Sequence, residues 1–159
     1  MSESNEVRSL LEQSVEITAP VAAVWDLVSD VRRVSEWSPQ VTSTRLRDGF
    51  ETCELGAQFT NRNKLDDLEW TTHAEVTRFE VEREIAFRVE ENWAIWSFTL
   101  EPTADGTVLT QRRRTPDGIS ELSHELTDGF MGGQDAFTET LLDGMRETLE
   151  RIKAAAEQN

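Results

Sequence analysis

Apolar side chains recur at helical spacing near the end of the chain, between Gln134 and Glu157. Steps of four and three residues bring them to one face of an α-helix and leave the acidic and basic residues on the other faces. The members of this apolar stripe are Phe137, Leu141, Met145, Leu149 and Ile152. At about 1.5 Å per residue the helix would be about 36 Å long. A helix of this length needs a wide apolar surface to lie against.

Most of the preceding chain alternates apolar and polar residues, which is the pattern of half-buried β-strands. The first predicted strand covers residues 11–17, and six more cover residues 41–47, 57–63, 68–79, 84–90, 93–101 and 107–113. The connections within this second group are short. Consecutive strands should therefore pair as antiparallel hairpins.

Two short helices are predicted between the first and second strands. Pro20 suits the first position of a helix whose apolar face includes Val24 and Leu27. Asp30 is the expected cap of a second helix, and Pro39 ends it because proline disfavours helical geometry in the residue before it. Residues 119–128, after the last strand, are compatible with a short helix or an irregular connection.

These elements predict an α+β fold with a single domain over residues 8–157. A curved antiparallel sheet of about seven strands would wrap around the long C-terminal helix, and the two short helices would close one end. This arrangement buries every apolar face at once.

Charge and composition narrow the possible functions. The net charge is −15, which repels phosphate backbones and anionic lipid surfaces, so no nucleic-acid partner is expected. The basic run Arg112–Arg114 lies in a predicted strand, where successive side chains point to opposite faces. It therefore does not form one basic patch.

The remaining composition is that of an ordinary globular protein. Its 159 residues contain no apolar run long enough to span a membrane, so no stable membrane insertion is expected. Residues 1–7 are polar and acidic, unlike a secretory signal, and a cytoplasmic location is expected. Because Cys53 is the one cysteine, an internal disulfide is excluded. The sequence leaves the oligomeric state open.

Short motifs in a particular order and spacing resemble the START-like superfamily, also called SRPBCC, and within it the polyketide cyclase/dehydrase-like branch. The motifs are residues 15–20, 24–25, 29–30, 36–39, 56–59, 61–63, 70–72, 83–84, Trp96 followed by 100–102, and 105–107. The resemblance covers about residues 8–155. It implies a helix-grip fold, in which the sheet and the last helix enclose a deep, largely apolar cavity. Members of this superfamily bind hydrophobic small molecules, and a minority act on them.

Candidate cavity residues are mostly aromatic, since five tryptophans and seven phenylalanines would supply wide, flat walls. Each of them taken singly also suits a packed core. The candidates for ligand binding are Trp37, Phe59, Trp70, Phe87, Trp96, Phe98, Phe130, Met131, Phe137, Leu141 and Met145, together with the polar residues Asn63 and Arg113.

Some polar residues are an even number of positions away from apolar residues of the same predicted strand. Their side chains should therefore lie on the same face as the apolar ones and are candidates to point inward. They are Asn61, Asn63, Thr72, Gln111 and Arg113. A buried amide or guanidinium group needs a partner, and a ligand oxygen is one such partner. Hydrogen bonds to neighbouring strands are the alternative, and for Asn63 the two interpretations have equal weight.

No catalytic constellation is evident in the sequence. His73 is predicted on the outward, solvated face of its strand. Glu121 and His124 have the spacing of a di-iron ligand pair, but such centres need this motif twice, so no metal is expected and no cofactor is predicted. If the protein is an enzyme of the cyclase or dehydratase type, Arg113, Asn63 and Glu36 are the first residues to test.

Three functions remain open at this point. The first is binding of a hydrophobic or amphipathic small molecule, such as a lipid, a polyketide or a quinone-like compound. The second is a polyketide cyclase, aromatase or dehydratase. The third is a protein-interaction module, like the toxin-like half of a bacterial pair, whose acidic surface would meet a basic partner.

Overall fold

A computed structural model describes residues 10–116 and 134–158. Seven strands and three α-helices are present in these residues, with a 3₁₀ turn at Val31–Arg33. The strands are β1 (Leu10–Ile17), β2 (Val41–Leu46), β3 (Gln58–Leu65), β4 (Leu68–Glu80), β5 (Glu84–Val89), β6 (Ile95–Pro102) and β7 (Thr107–Arg114). The helices are α1 (Val21–Val28), α2 (Val34–Trp37) and α3 (Gln134–Glu157).

All neighbouring strands are antiparallel, and the order across the sheet is β1-β7-β6-β5-β4-β3-β2. Strands β2 to β7 follow one another as hairpins, whereas β1 pairs with β7 at the far edge. The chain crosses from one edge to the other through α1, the 3₁₀ turn and α2. Together with α3, these elements form the predicted helix-grip α+β fold.

Helix α3 lies against β1 and β7, and it also contacts α1 and α2. The predicted stripe faces this surface: Leu141, Met145, Leu149 and Ile152 are buried, and Phe137 is half-buried. The helix therefore packs mainly on the β1–β7 side of the sheet. It does not cover the concave face of the remaining strands.

The main core lies between α1, the C-terminal half of α3 and the sheet. Trp25 of α1 packs edge-on against Phe79 of β4, with 5.3 Å between the ring centroids. An irregularity in the pairing of β4 with β5, between Val76 and Arg78, makes this contact possible. One additional residue at this point changes the parity of the strand and turns Phe79 back toward the core.

Two of the boundaries that differ from the sequence prediction have a local cause in the backbone. Helix α1 begins at Val21, because Pro20 has an extended backbone (φ −69°, ψ 155°) and stands at the N-cap position. Strand β6 begins at Ile95, because Trp93 lies in the β5–β6 turn with φ +65°. A tryptophan rarely adopts this left-handed conformation, and an apolar pattern alone does not predict it.

The predicted cap at Asp30 is present, but it caps the 3₁₀ turn rather than one continuous helix. Its carboxylate accepts a hydrogen bond from the backbone N–H of Arg32 at 2.9 Å. Among the described residues, no helix is both long enough and apolar enough to cross a membrane.

Candidate functional site

A cavity of about 330 Å³ lies on the concave face of the sheet, between β3–β7, α2 and the first half of α3. Ligand sites in proteins occupy about 300–1,000 Å³, so this cavity suits a compact small molecule. Its described lining residues are Val34, Trp37, Ser38, Gln40, Val41, Asn61, Asn63, Trp70, Thr71, Thr72, Phe87, Val89, Glu91, Asn92, Ala94, Trp96, Phe98, Gln111, Arg113, Phe137, Leu141 and Thr148.

Aromatic rings form the apolar walls, and packing behind them holds their orientation. Phe87 meets Phe59 edge-on, with 5.2 Å between the ring centroids. The Trp37 indole N–H donates to the carbonyl oxygen of Leu27 at 3.3 Å, and the guanidinium of Arg33 lies 5.2 Å from its ring centroid. These rings are fixed by the fold and provide flat surfaces of defined orientation.

One group of polar side chains lies on β3 and β4. The Thr44 hydroxyl donates to Oδ1 of Asn61 at 2.6 Å, and Nδ2 of Asn63 donates to the Thr72 hydroxyl at 3.1 Å and to the Trp70 carbonyl at 3.3 Å. All three cavity-lining members, Asn61, Asn63 and Thr72, are buried. Neighbouring strands thus hold these amides, and Oδ1 of Asn63 has no hydrogen-bond partner among the described residues.

A second polar pair lies on β7, where Gln111 and Arg113 point to the same face of the sheet. Only 9% of Gln111 and 6% of Arg113 is exposed. Burial lowers the pKa of Arg113 to about 10, because desolvation disfavours the charged form. The guanidinium is therefore still protonated at neutral pH and brings a positive charge to the cavity wall.

A second, more open hollow of about 580 Å³, the outer hollow, lies beside the cavity. This hollow lies between the Ser38–Gln40 turn, the β3–β4 hairpin and the middle of α3 around Gly144. Both spaces are lined by Ser38, Gln40, Trp96, Gln111, Leu141 and Thr148. The outer hollow and the cavity therefore share part of one wall.

Residues 9–157 match the sequence model of the family described as polyketide cyclase/dehydrase and lipid transport. The chain belongs to this family. A search of the curated proteins finds no match to the chain.

Solved structures have the same fold. The solution structure of the Polyketide_cyc-like protein Cgl2372 from Corynebacterium glutamicum is 31% identical, with a TM-score of 0.59, over 92% of this chain and 90% of that chain. The di-domain ARO/CYC StfQ of the steffimycin biosynthetic pathway is 16% identical, with a TM-score of 0.73, over 94% of this chain and 51% of that chain. The chain thus spans about half of the di-domain protein.

A plant protein extends the comparison. The ginseng major latex-like protein 151 from Panax ginseng is 15% identical, with a TM-score of 0.70, over 92% of this chain and 96% of that chain. The family supports a ligand-binding or cyclase role in general, and the two neighbours at 16% and 15% identity show that the fold is shared.

The structure brings most of the predicted site residues of this family member to the cavity wall. These are Trp37, Asn63, Trp70, Phe87, Trp96, Phe98, Arg113, Phe137 and Leu141. The inward orientation expected from strand parity for Asn61, Thr72 and Gln111 is also present. Their parity with apolar neighbours was therefore a sufficient signal for these buried polar groups.

Two predicted residues, Phe59 and Met145, do not belong to the described lining of the cavity. Phe59 is fully buried behind the wall, in contact with Phe87, because β3 is covered by the core at this point. Met145 is buried with Leu11 and borders the outer hollow. Phe130 and Met131 lie outside the described residues, as do Glu121, His124 and the segment 119–128.

Glu36, one of the three residues to test first for an enzyme, lies elsewhere. It forms a surface ion pair with Arg33 at 2.8 Å, and this hydrogen bond lowers the pKa of its carboxyl group. It does not belong to the described lining of the cavity.

The sequence interpretation missed several of the described lining residues, which are Val34, Ser38, Gln40, Val41, Thr71, Val89, Glu91, Asn92, Ala94 and Thr148. Thr148 faces the cavity from α3, where its hydroxyl donates to the Gly144 carbonyl at 2.7 Å. Asn92 and Ala94 reach the cavity from the β5–β6 turn, where Oδ1 of Asn92 accepts from the Ala94 N–H at 2.9 Å. A turn of this shape has no periodic pattern that would reveal which residues point inward.

His73 is half-buried rather than fully solvated. One carboxylate oxygen of Glu91 lies 2.5 Å from its Nδ1, and the other accepts from its backbone N–H at 2.7 Å. Together with Glu90, these groups have their potential metal-ligating atoms within 4.8 Å of one another. These two contacts between His73 and Glu91 join β4 to the β5–β6 turn.

Proposed function

We propose that the protein binds a hydrophobic or amphipathic small molecule, such as a lipid, a polyketide or a quinone-like compound, in the cavity between the sheet and α3. The observation that carries this proposal is the make-up of the cavity wall. Fixed aromatic rings surround it, and a small number of buried polar groups point into it. This combination is typical of sites that bury a ligand and orient it through a few hydrogen bonds.

The cavity has room for water when no ligand is bound. An apolar ligand that displaces water from the aromatic walls gains the free energy of burial, about 25 cal/mol per Å².

The charge of the wall favours an oxygen-rich ligand. Arg113 is the cation among the described lining residues, and it remains protonated at neutral pH. A carbonyl, phenolate or carboxylate oxygen of the ligand gains a charge-assisted hydrogen bond there. The strongly acidic surface of the protein would not attract such a ligand from a distance, so we assign recognition to the cavity itself.

A cyclase or aromatase activity is the second candidate, and the position of Arg113 favours it. Carbon–carbon bond formation in a poly-β-ketone passes through an enolate, whose negative oxygen a buried guanidinium stabilises. The proton must leave the carbon atom to a base, and the described lining has one carboxylate, Glu91. Turnover of a poly-β-ketone mimic above the uncatalysed rate, and its loss in Arg113→Met, would support this activity. Products identical to those of the uncatalysed reaction would exclude it for that substrate.

Two measurements test the binding proposal. Mass spectrometry of organic extracts of the purified protein would identify a ligand that co-purifies with it. Titration with lipids, quinones and aromatic polyketides, followed by tryptophan fluorescence, would report binding, because Trp37, Trp70 and Trp96 line the cavity. We expect saturable quenching by at least one class at a stoichiometry of one. No saturable binding across the panel would overturn the proposal.

A further inference from the structure

A histidine of β4 and two glutamates of the β5–β6 turn converge beside the cavity. His73, Glu90 and Glu91 each bring a potential metal-ligating atom, and these atoms all lie within 4.8 Å of one another. They are the one such group among the residues that the structure describes. Eighteen positions separate His73 from Glu91 along the chain, so no short sequence motif reveals the group.

Hydrogen bonds already join the two segments that carry these side chains. The Glu90 N–H donates to the His73 carbonyl oxygen at 2.8 Å, and the His73 N–H donates to Oε1 of Glu91 at 2.7 Å. The other carboxylate oxygen of Glu91 lies 2.5 Å from Nδ1 of His73. The backbone of both segments is thus in place before any ion binds, and an ion does not have to order a loop.

The separations suit a small cation. Zn²⁺ binds imidazole nitrogen and carboxylate oxygen at about 2.0–2.2 Å in a tetrahedral arrangement, which places neighbouring ligand atoms about 3.3–3.6 Å apart. The Glu90 side chain is 56% exposed, and its ion pair with Arg47 is long, at 4.0 Å, so its carboxylate can rotate toward an ion. Neutral histidine carries its proton on either ring nitrogen, and with the proton on Nε2 the Nδ1 atom of His73 is available as a ligand.

Charge and donor type indicate which ion fits. Two carboxylates face one weakly paired arginine, Arg47, and the whole protein carries a net charge of −15, so cations are attracted to this surface. Imidazole nitrogen suits Zn²⁺ and other first-row transition ions, whereas Mg²⁺ and Ca²⁺ prefer oxygen ligands alone. Three protein ligands leave a fourth position on a tetrahedral ion for water.

We propose that His73, Glu90 and Glu91 form a binding site for a divalent transition-metal ion such as Zn²⁺. The bound ion joins β4 to the β5–β6 turn. Because Glu91, Asn92 and Ala94 of this turn line the cavity, the ion also fixes one part of the cavity wall. The ion binds whether or not the cavity holds a small molecule, so the site is independent of the proposed binding function.

Calorimetric titration of metal-free protein without an affinity tag, with ZnCl₂ as the only ligand, tests this site. We expect one Zn²⁺ per chain, and an excess of Mg²⁺ or Ca²⁺ should not displace it. At a free Zn²⁺ concentration of about 100 times the Kd, the Tm should rise by about 5–10 °C. Co²⁺ in place of Zn²⁺ should give the visible absorption of a tetrahedral centre with nitrogen and oxygen ligands.

Two variants and a matched control locate the ion. His73→Gln removes the imidazole but keeps a side-chain donor for Glu91, and it should weaken Zn²⁺ binding by more than about 100-fold, because losing only a hydrogen-bond partner of a metal ligand costs about 10–100-fold. Glu90→Gln alters an exposed side chain, so it should fold as wild type does and weaken binding by about tenfold or more. His124→Gln replaces the other histidine of the chain and should leave the affinity unchanged.

Wild-type protein that binds no Zn²⁺ would overturn the assignment. So would wild-type affinity in either His73→Gln or Glu90→Gln, or loss of binding in His124→Gln, because the ion would then bind elsewhere on the acidic surface. If His73→Gln proves unstable, the affinity of Glu90→Gln decides between the two results.

Discussion

Two leucines on the same face of α3 offer a direct test of which part of the interior is a site and which part is core. Leu141 is 7% exposed and lines the cavity, whereas Leu149 is 2% exposed and belongs to the closed core beside α1. Truncation of either residue to alanine removes the same atoms from the same helix stripe. The two variants differ in what surrounds the deleted side chain.

The expected magnitudes differ because the surroundings differ. A buried Leu→Ala substitution costs about 2–5 kcal/mol, and the cost increases with the volume of the new cavity. Leu149→Ala opens a closed void and should cost about 3–5 kcal/mol. Leu141→Ala only enlarges a space that already exists, and its cost should be about 2 kcal/mol. For ligand binding the order is reversed. Leu141→Ala removes ligand contact and should weaken affinity about tenfold, whereas Leu149→Ala should leave it unchanged.

Urea denaturation followed by tryptophan fluorescence measures the two stabilities, and calorimetric titration with the best ligand of the panel measures the affinities. A Leu149→Ala variant that retains wild-type affinity despite its larger loss of stability separates binding from global stability. The reasoning is refuted if Leu141→Ala costs as much stability as Leu149→Ala and both bind the ligand as wild type does. The region around Leu141 would then be closed core.

Three further predictions concern stability. Gly106→Ala should cost about 2–3 kcal/mol in urea denaturation, because the new Cβ would overlap the backbone carbonyl at the end of β1 and neither chain can move away easily. Gly144→Ala should raise stability by about 0.5–1 kcal/mol, since its Cβ would lie 3.6 Å from Cγ of Pro39, an ordinary contact, and alanine favours the helix; an unchanged or lower value would contradict this. The hydrogen bond from the Arg32 side chain lowers the pKa of Asp30 below its ordinary value of 3.8, so the unfolded chain binds more protons as the pH falls through this range. Asp30 therefore contributes stability above this pH that is lost in stronger acid. The difference in unfolding free energy between wild type and Asp30→Asn should shrink from pH 6 to about pH 3, and a constant difference would refute the linkage.

Local periodicity was enough to predict most of the fold. The stripe of α3 and the alternation in β3, β4 and β7 depend only on which side chains face the same direction, and the structure confirms them. Trp93 and Phe79 mark the limit of this reasoning. A residue with positive φ in the β5–β6 turn and an irregularity in β4 change which face a side chain occupies, and neither has a periodic signature.

The same limit applies to the candidate site, where some features follow from the local sequence and others do not. Parity with apolar neighbours was sufficient to predict that Asn63, Gln111 and Arg113 point inward, because alternation along a strand is a local property. The local sequence does not determine whether these groups meet hydrogen-bond partners or empty space. The outcome depends on strands four positions apart in the sheet and on the side of the sheet against which α3 rests.

The amino-acid sequence by itself determined the elements, their order and the faces that each must bury, because hydrophobic burial acts on every helix and strand according to its own period. Only the tertiary structure decided that Phe59 fills the core while Phe87, in contact with it, borders a cavity. The reason is geometric. Helix α3 packs on β1 and β7 rather than across the whole concave face, and the curved sheet leaves a space that no single element encodes.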